Sequence, residues 1–123
     1  MAKVVGVGGV FLKARDPKAL AAWYAEHLGI ADIGGGTLGF EGPESAGTTV
    51  FSHFPLDSGY FGEGAQQAMV NFRVDDLEAL LAQLSAAGVR VDPKQEDYGY
   101  GKFGWIWDPE DNRVELWEPA KEG

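Results

Sequence analysis

Gly101-Lys-Phe-Gly-Trp-Ile-Trp-Asp-Pro-Glu-Asp-Asn-Arg-Val-Glu-Leu-Trp-Glu-Pro119 is the stretch that decides the fold. Aromatic and smaller residues alternate from Phe103 to Trp107, the period of a strand. Asp108-Pro109-Glu110-Asp111-Asn112 is dense in turn formers, and Asn112 is expected to take the positive φ. Alternation resumes from Arg113 and ends at Glu118-Pro119, so the whole reads as a β-hairpin. Period two puts Arg113, Glu115 and Trp117 on one face of the return strand and Val114 and Leu116 on the other. An aliphatic face suits a core. A face of Arg, Glu and Trp is expected to border a ligand cleft.

Working outward, Phe103, Trp105 and Trp107 share one face of the first hairpin strand, with Ile106 opposed to them. Upstream, Glu96-Asp-Tyr-Gly-Tyr-Gly101 reads as a loop that would bring Tyr98 and Tyr100 beside the hairpin. Before it, Met69 to Val74 reads as a strand, with Arg73 on the face of Met69 and Asn71. Asp75-Asp-Leu-Glu78 is a capping-box-like helix start, Leu77, Leu80, Leu81 and Leu84 make its apolar stripe, and Gly88 closes it.

The same pattern occurs earlier in the chain. Val4 to Lys13 is β-rich, Asp16-Pro17 caps a helix, and Gly29 is its expected left-handed end. Leu20, Trp23, Tyr24 and Leu28 are expected to be that helix's buried stripe. Asp16 to Gly29 and Asp75 to Gly88 both span 13 residues, offset by 59, which marks an internal repeat. Strands are expected at about 31–40 and 48–54, with a turn over 41–47. Pro55 to Ala65, rich in glycine, reads as a linker or as a loop over a pocket, with Tyr60 and Phe61 as exposed-looking aromatics. The expectation is a single α+β domain, residues 1–123. Module one covers about 4–54, the linker about 55–67 and module two about 68–119. Each module is βαβββ, and the two tandem modules form a curved mixed sheet around a cup-shaped cleft.

Composition narrows the function. The chain has 123 residues, 45% hydrophobic and 24% charged, enough for a core. It lacks an apolar run long enough to span a membrane, and its start lacks a signal-peptide core. With no cysteine there is neither disulfide nor thiolate, and a cytoplasmic location is expected. A net charge of −9 argues against nucleic acid. Gly6-Val-Gly8-Gly9 lies inside a strand and is no phosphate-binding loop.

The chain resembles the vicinal oxygen chelate superfamily of glyoxalases, extradiol dioxygenases and bleomycin-resistance proteins. The resemblance is carried by Trp23-Tyr24…Leu28-Gly29, by Phe72-Arg-Val-Asp-Asp-Leu-Glu-Ala-Leu80…Ala87-Gly-Val89, and by Gly104 to Glu118. It implies a cup with helices outside and a homodimer. It also implies a divalent metal held by two histidines and a glutamate, which would act as a Lewis acid. Here the two histidine positions fall on Gly9 and Met69, and only Glu115 matches. A thioether is a poor ligand for hard cations. Phe51 marks the length-matched position on the fourth strand, and period two would set His53 on the same face, so that His53 and Glu115 could share the cup as an acid/base pair or an atypical metal site.

No cofactor is therefore expected unless His53 and Glu115 form that atypical site. The function expected is metal-free binding of a small aromatic or cationic molecule by Phe51, Arg73, Tyr98, Tyr100, Phe103, Trp105, Trp107 and Arg113 around Glu115. The alternative is a glyoxalase-like lyase or isomerase acting on a carbonyl compound, with Glu115 as base and His53 assisting. A scaffold without a ligand is a third reading.

Overall fold

Leu77, Leu80 and Leu81 are all buried, and they fix how the second helix lies on its sheet. In this computed structural model, which describes residues 2–41, 47–62 and 66–120, the element order is β-α-β-β-β twice. The first set is β1 (Val4–Ala14), α1 (Pro17–Leu28), β2 (Ala31–Gly34), β3 (Thr37–Phe40) and β4 (Thr49–Pro55). The second is β5 (Ala68–Val74), α2 (Leu77–Ala86), β6 (Val91–Tyr98), β7 (Gly101–Trp107) and β8 (Arg113–Pro119). A single 3-10 turn, Gly59–Phe61, lies between the sets. The described residues divide into two compact units, 8–70 and 2–7 with 71–120. Among them, no helix is long and apolar enough to cross a membrane.

In the unit of residues 8–70, the strands run β2-β3-β4-β1, with β1 parallel to β4 and the other neighbours antiparallel. In the other unit the order is β6-β7-β8-β5, with β5 parallel to β8 and the rest antiparallel. Each unit thus repeats one topology, an α+β arrangement with a single helix per four-stranded sheet.

The expected 31–40 strand is two strands. Gly34, Gly35 and Gly36 all take positive φ, and the Asp32 carboxylate accepts from Gly34 N at 2.7 Å, so the chain turns there. Most of the turn expected over 41–47 lies outside the described residues. The loop expected at Glu96–Gly101 is mostly strand. Tyr98 pairs with Gly101 across a two-residue turn, so Tyr98 belongs to β6 and only Gly99 and Tyr100 turn. In the β7–β8 connection the positive φ belongs to Asp111, at 63°, rather than Asn112. The Asp108 carboxylate accepts from Glu110 N, Asn112 N and Asn112 Nδ2, which occupies Asn112 in the turn's bonding and holds the Asp108 carboxyl below the usual range.

Both helices start at aspartates. Asp16 accepts from Ala19 N at 3.0 Å, and Gly29 ends α1 with φ 68°, as the sequence leads one to expect. For α2 the cap is Asp76, which accepts from Ala79 N, while Asp75 instead accepts from Lys3 N at 2.9 Å. The expected capping box at Asp75 is thereby replaced: Glu118, from β8, accepts from Leu77 N at 2.8 Å. The helix is thus tied to the strand it covers.

The α2 stripe packs with Val74 and Leu116 as one core cluster, joined by Phe72, Leu84, Ile106 and Val114. Gly104 lies opposite Leu116, and a Cβ there would come within 3.0 Å of Leu81 Cδ1, so its bare backbone lets α2 settle onto β7. The stripe expected on α1 is not buried. No α1 residue is, and Trp23 and Leu28 are 50% and 61% exposed. Tyr24 alone of the expected aromatics turns onto the sheet, against Phe51 and His53. The aromatics expected to be exposed in the 55–65 segment are also corrected. Phe61 is fully buried, and Tyr60 stacks on Phe54.

The two helices should therefore differ sharply in what they contribute. Leu81→Ala is expected to lower unfolding free energy by about 2–5 kcal/mol in urea titrations, whereas Leu28→Ala should change it by less than about 0.5 kcal/mol.

Candidate functional site

The polar face of β8 is where the candidate site is built. Arg113, Glu115 and Trp117 stand on the side away from the leucine core that Val114 and Leu116 join, as strand alternation dictates. Parallel pairing sets Asn71 of β5 beside Glu115, and antiparallel pairing sets Trp105 of β7 on its other side. The three form one cross-strand row. Asn71 Nδ2 donates to Glu115 Oε1 at 2.6 Å, and Trp105 Nε1 donates to Oε2 at 3.0 Å. Asn71, Trp105 and Glu115 are 2%, 0% and 1% exposed, so this carboxylate is held by neutral donors away from bulk water. The sequence pointed to Glu115 and Trp105. It gave no weight to Asn71, whose position two residues before Arg73 on an inward strand face was the available signal.

A second row lies one pleat along. Arg73 is opposite Trp117, Trp117 opposite Phe103, and Phe103 opposite Glu96. Phe103 and Trp117 lie parallel, with centroids 6.1 Å apart and planes 2° apart. Tyr98 and Tyr100 form another parallel pair at 5.4 Å, and both touch Phe103 with their rings. Tyr98 is 42% exposed and Tyr100 66%. A hydrogen bond to the Glu96 carboxylate raises the Tyr98 phenol above its usual range, with burial adding to the shift. Trp117 Nε1 is buried and has no hydrogen-bond partner among the described residues. It points at Gly101, where a Cβ would collide with it. Gly101 therefore leaves room for the indole edge.

The third row is structural. Arg113 lies over the rings of Trp105 and Trp107 at 5.1 and 5.2 Å and pairs with Asp92 at 2.8 Å. Arg90 covers the other ring contact of Trp107 at 3.8 Å. Desolvation works to raise the Asp92 carboxyl, but the hydrogen bond and charge of Arg113, together with Lys94, leave it below its ordinary value. Trp107 is thus committed to a cation stack, whereas Phe103, Tyr98 and Tyr100 are open. Arg73 lies against Gly6, where an added Cβ would meet its guanidinium at 2.7 Å.

Phe51 and His53 do not lie where the sequence put them. Both rings pack against Tyr24 of α1, at 4.8 and 5.6 Å, so they occupy the helix-bearing face of their own sheet. Glu115 occupies the helix-free face of its sheet. Strand β4 thus turns Phe51 and His53 towards α1, the opposite phase from the one expected. Phe54, one residue on, faces Phe11, Tyr60 and Phe61. Burial lowers the His53 imidazole below its ordinary 6.5.

The residues at the three positions of the expected metal set do not fit a divalent cation. Gly9 brings no donor, Met69 is a buried thioether, and both Glu115 oxygens already accept hydrogen bonds. Among the described residues, no group of three or more His, Cys, Asp or Glu side chains could hold a metal ion.

Comparisons with known proteins follow this geometry. Solved structures similar to the chain include methylmalonyl-CoA epimerase from Mycobacterium tuberculosis, 24% identical over 96% of this chain and 90% of that one, with a TM-score of 0.68. A variant of methylmalonyl-CoA epimerase from Streptomyces coelicolor, in complex with 2-nitronate-propionyl-CoA, is 15% identical over 97% and 100%, with a TM-score of 0.75. A hypothetical protein from Bacillus halodurans is 12% identical over 99% and 97%, with a TM-score of 0.67. At such identities the likeness is one of fold. No curated protein matches the sequence. The family model of the glyoxalase-like domain matches residues 9–117, nearly the whole length, and the chain belongs to that family.

Proposed function

We propose that the chain is a metal-free binder of a small planar organic molecule, aromatic or cationic, taken up on the open aromatic wall of β6, β7 and β8. The observation that carries this reading is the exposed pair Tyr98 and Tyr100 set against parallel Phe103 and Trp117, with the Trp117 N–H lacking an acceptor. Flat rings gain stacking area there. The open ring faces, with the Glu96 carboxylate beside them even though Lys94 lies 3.8 Å from it, favour a cationic ring over a neutral one. That a fold neighbour is described in complex with methylmalonyl-CoA supports an organic ligand.

The buried carboxylate itself favours a second reading, a lyase or isomerase with Glu115 as base on a carbonyl compound. Both its oxygens are already engaged by Asn71 and Trp105, so taking up a substrate proton would mean displacing one of these donors, which ranks this reading second. A homodimer suits the exposed Trp23, Leu28 and Leu56, apolar area that a second copy would cover. A cysteine-free composition suits the cytoplasm.

N-methylquinolinium and neutral quinoline, titrated by NMR, test the binder. The cation is expected to bind more tightly, with shifts at Tyr100 and the Trp117 indole, and Tyr100→Ala is expected to weaken it about five- to tenfold. Equal affinity in the variant would remove the aromatic wall from the function. Enolisation of carbonyl compounds in D₂O, if Glu115-dependent, would promote the second reading.

Glu115 itself separates charge from support. In Glu115→Gln the Asn71 amide can flip, because its Oδ1 is buried without a partner, and accept from the new amide. That variant is expected to keep stability within about 1 kcal/mol while weakening the cation. Glu115→Leu strands both donors and is expected to cost about 1–3 kcal/mol for each, read from urea midpoints.

A further inference from the structure

His53 lies outside the aromatic wall, and nothing so far uses it. It lines a cavity of about 200 Å³ between the first turn of α1 and the Gly35-Gly36 turn. The other polar lining residues are Lys18, Thr37 and Ser52. None of the lining residues is acidic. In a chain with 19 acidic and 10 basic residues, a concavity bearing a lysine, a histidine and two hydroxyls but no carboxylate is a local reversal of charge. Asp16, next to this turn, has its carboxylate engaged by Ala19 N as the helix cap.

The second observation is independent of charge. His53 Nε2 is buried and has no hydrogen-bond partner among the described residues. Buried polar atoms without partners are rare, because each forfeits its hydration, and they mark places where a ligand or water completes the bonding. The ring is fixed in orientation by Tyr24, stacked at 5.6 Å, and by Phe51, edge-on at 4.7 Å. Gly35 and Gly36, at φ 60° and 86°, bring bare backbone to the opposite wall.

We propose that this cavity binds a small oxyanion, the phosphate or carboxylate group of a small molecule or the free ion, through His53 Nε2, the Lys18 ammonium and the Thr37 hydroxyl. In its Nε2–H tautomer the neutral imidazole donates to the anion without changing protonation. Lys18 supplies the opposite charge, and the positive end of the 12-residue helix α1 adds to it. This site is distinct from the aromatic wall in charge preference as well as in place, since the wall favours cations.

The test is NMR titration of the full chain, in buffer free of other multivalent anions, with inorganic phosphate, phenyl phosphate and N-methylquinolinium. Phosphate is expected to shift the His53 ring and the Lys18 and Ala21 amides saturably, at about millimolar affinity. Lys18→Gln, at an exposed position, is expected to weaken this about tenfold. His53→Gln should do the same, with unfolding midpoints recorded to show that both variants are folded. Tighter binding of phenyl phosphate would assign the anion to an organic molecule, and equal binding would assign it to the free ion. Absence of a saturable shift at His53, shifts that persist in both variants, or equal response to the cation would overturn the site. Each of these outcomes leaves the aromatic wall untouched, because its own titration reads Tyr100 and Trp117.

Discussion

A carboxylate with 1% exposure is the constraint on which the second unit depends. An isolated buried charge is prohibitively costly, and Asn71 and Trp105 offset that cost by donating to Glu115. Those donors come from the strands on either side of β8, and the requirement therefore reaches across three strands. It fixes the register of β5 against β8 and of β8 against β7, since a slip of one residue would turn both donors to the leucine side. The same alternation that points Glu115 one way sends Leu116 into the α2 cluster. Polar row and apolar core are two consequences of one register.

Resemblance to the vicinal oxygen chelate proteins put Glu115 in the position of a metal ligand, and the structure gives that position a different chemical content. Where a metal would draw charge from a carboxylate and two imidazoles, an amide and an indole satisfy both oxygens here. Gly9 cannot take part, and Met69 adds apolar volume. The result is a buried carboxyl group behind an aromatic sheet face. On the proposed reading, stacking on the open rings of Tyr98, Tyr100 and Phe103 would do the recognising.

Much of the fold was legible because strand and helix periods leave strong marks. The faces of β7 and β8, the α2 leucine stripe, the Asp16 cap and the repeat of topology all follow from spacing. What spacing could not supply was the phase of a strand with hydrophobic residues on both sides. In Thr49–Pro55, Phe51 and Phe54 are equally apolar, and nothing local says which meets the helix. Counting from the resemblance chose one phase, and Tyr24 took His53 and Phe51 to the other face. The α1 stripe failed for a related reason. Helical spacing identifies an apolar side but not whether the chain itself has anything to cover it. Asp75 and Asp76 were ambiguous because either can cap, and the choice rests on the long-range demand of Lys3 N for an acceptor.

The two units therefore solve different problems with one topology. In the unit that holds α2, the helix is anchored at its start by Glu118 and along its length by buried leucines, which leaves the far sheet face uncovered by it. In the unit that holds α1, no helix residue is buried, and the contacts are made by rings, Tyr24 with Phe51 and His53. A helix held by a few ring contacts leaves polar gaps beside it, and the cavity at His53 is one of them. The repeat that keeps topology equal does not keep the polar faces equal. Each unit leaves a different side of its sheet incompletely filled: the helix-free side where Glu115 and the tyrosines stand, and the helix side where an imidazole nitrogen lacks a partner among the described residues.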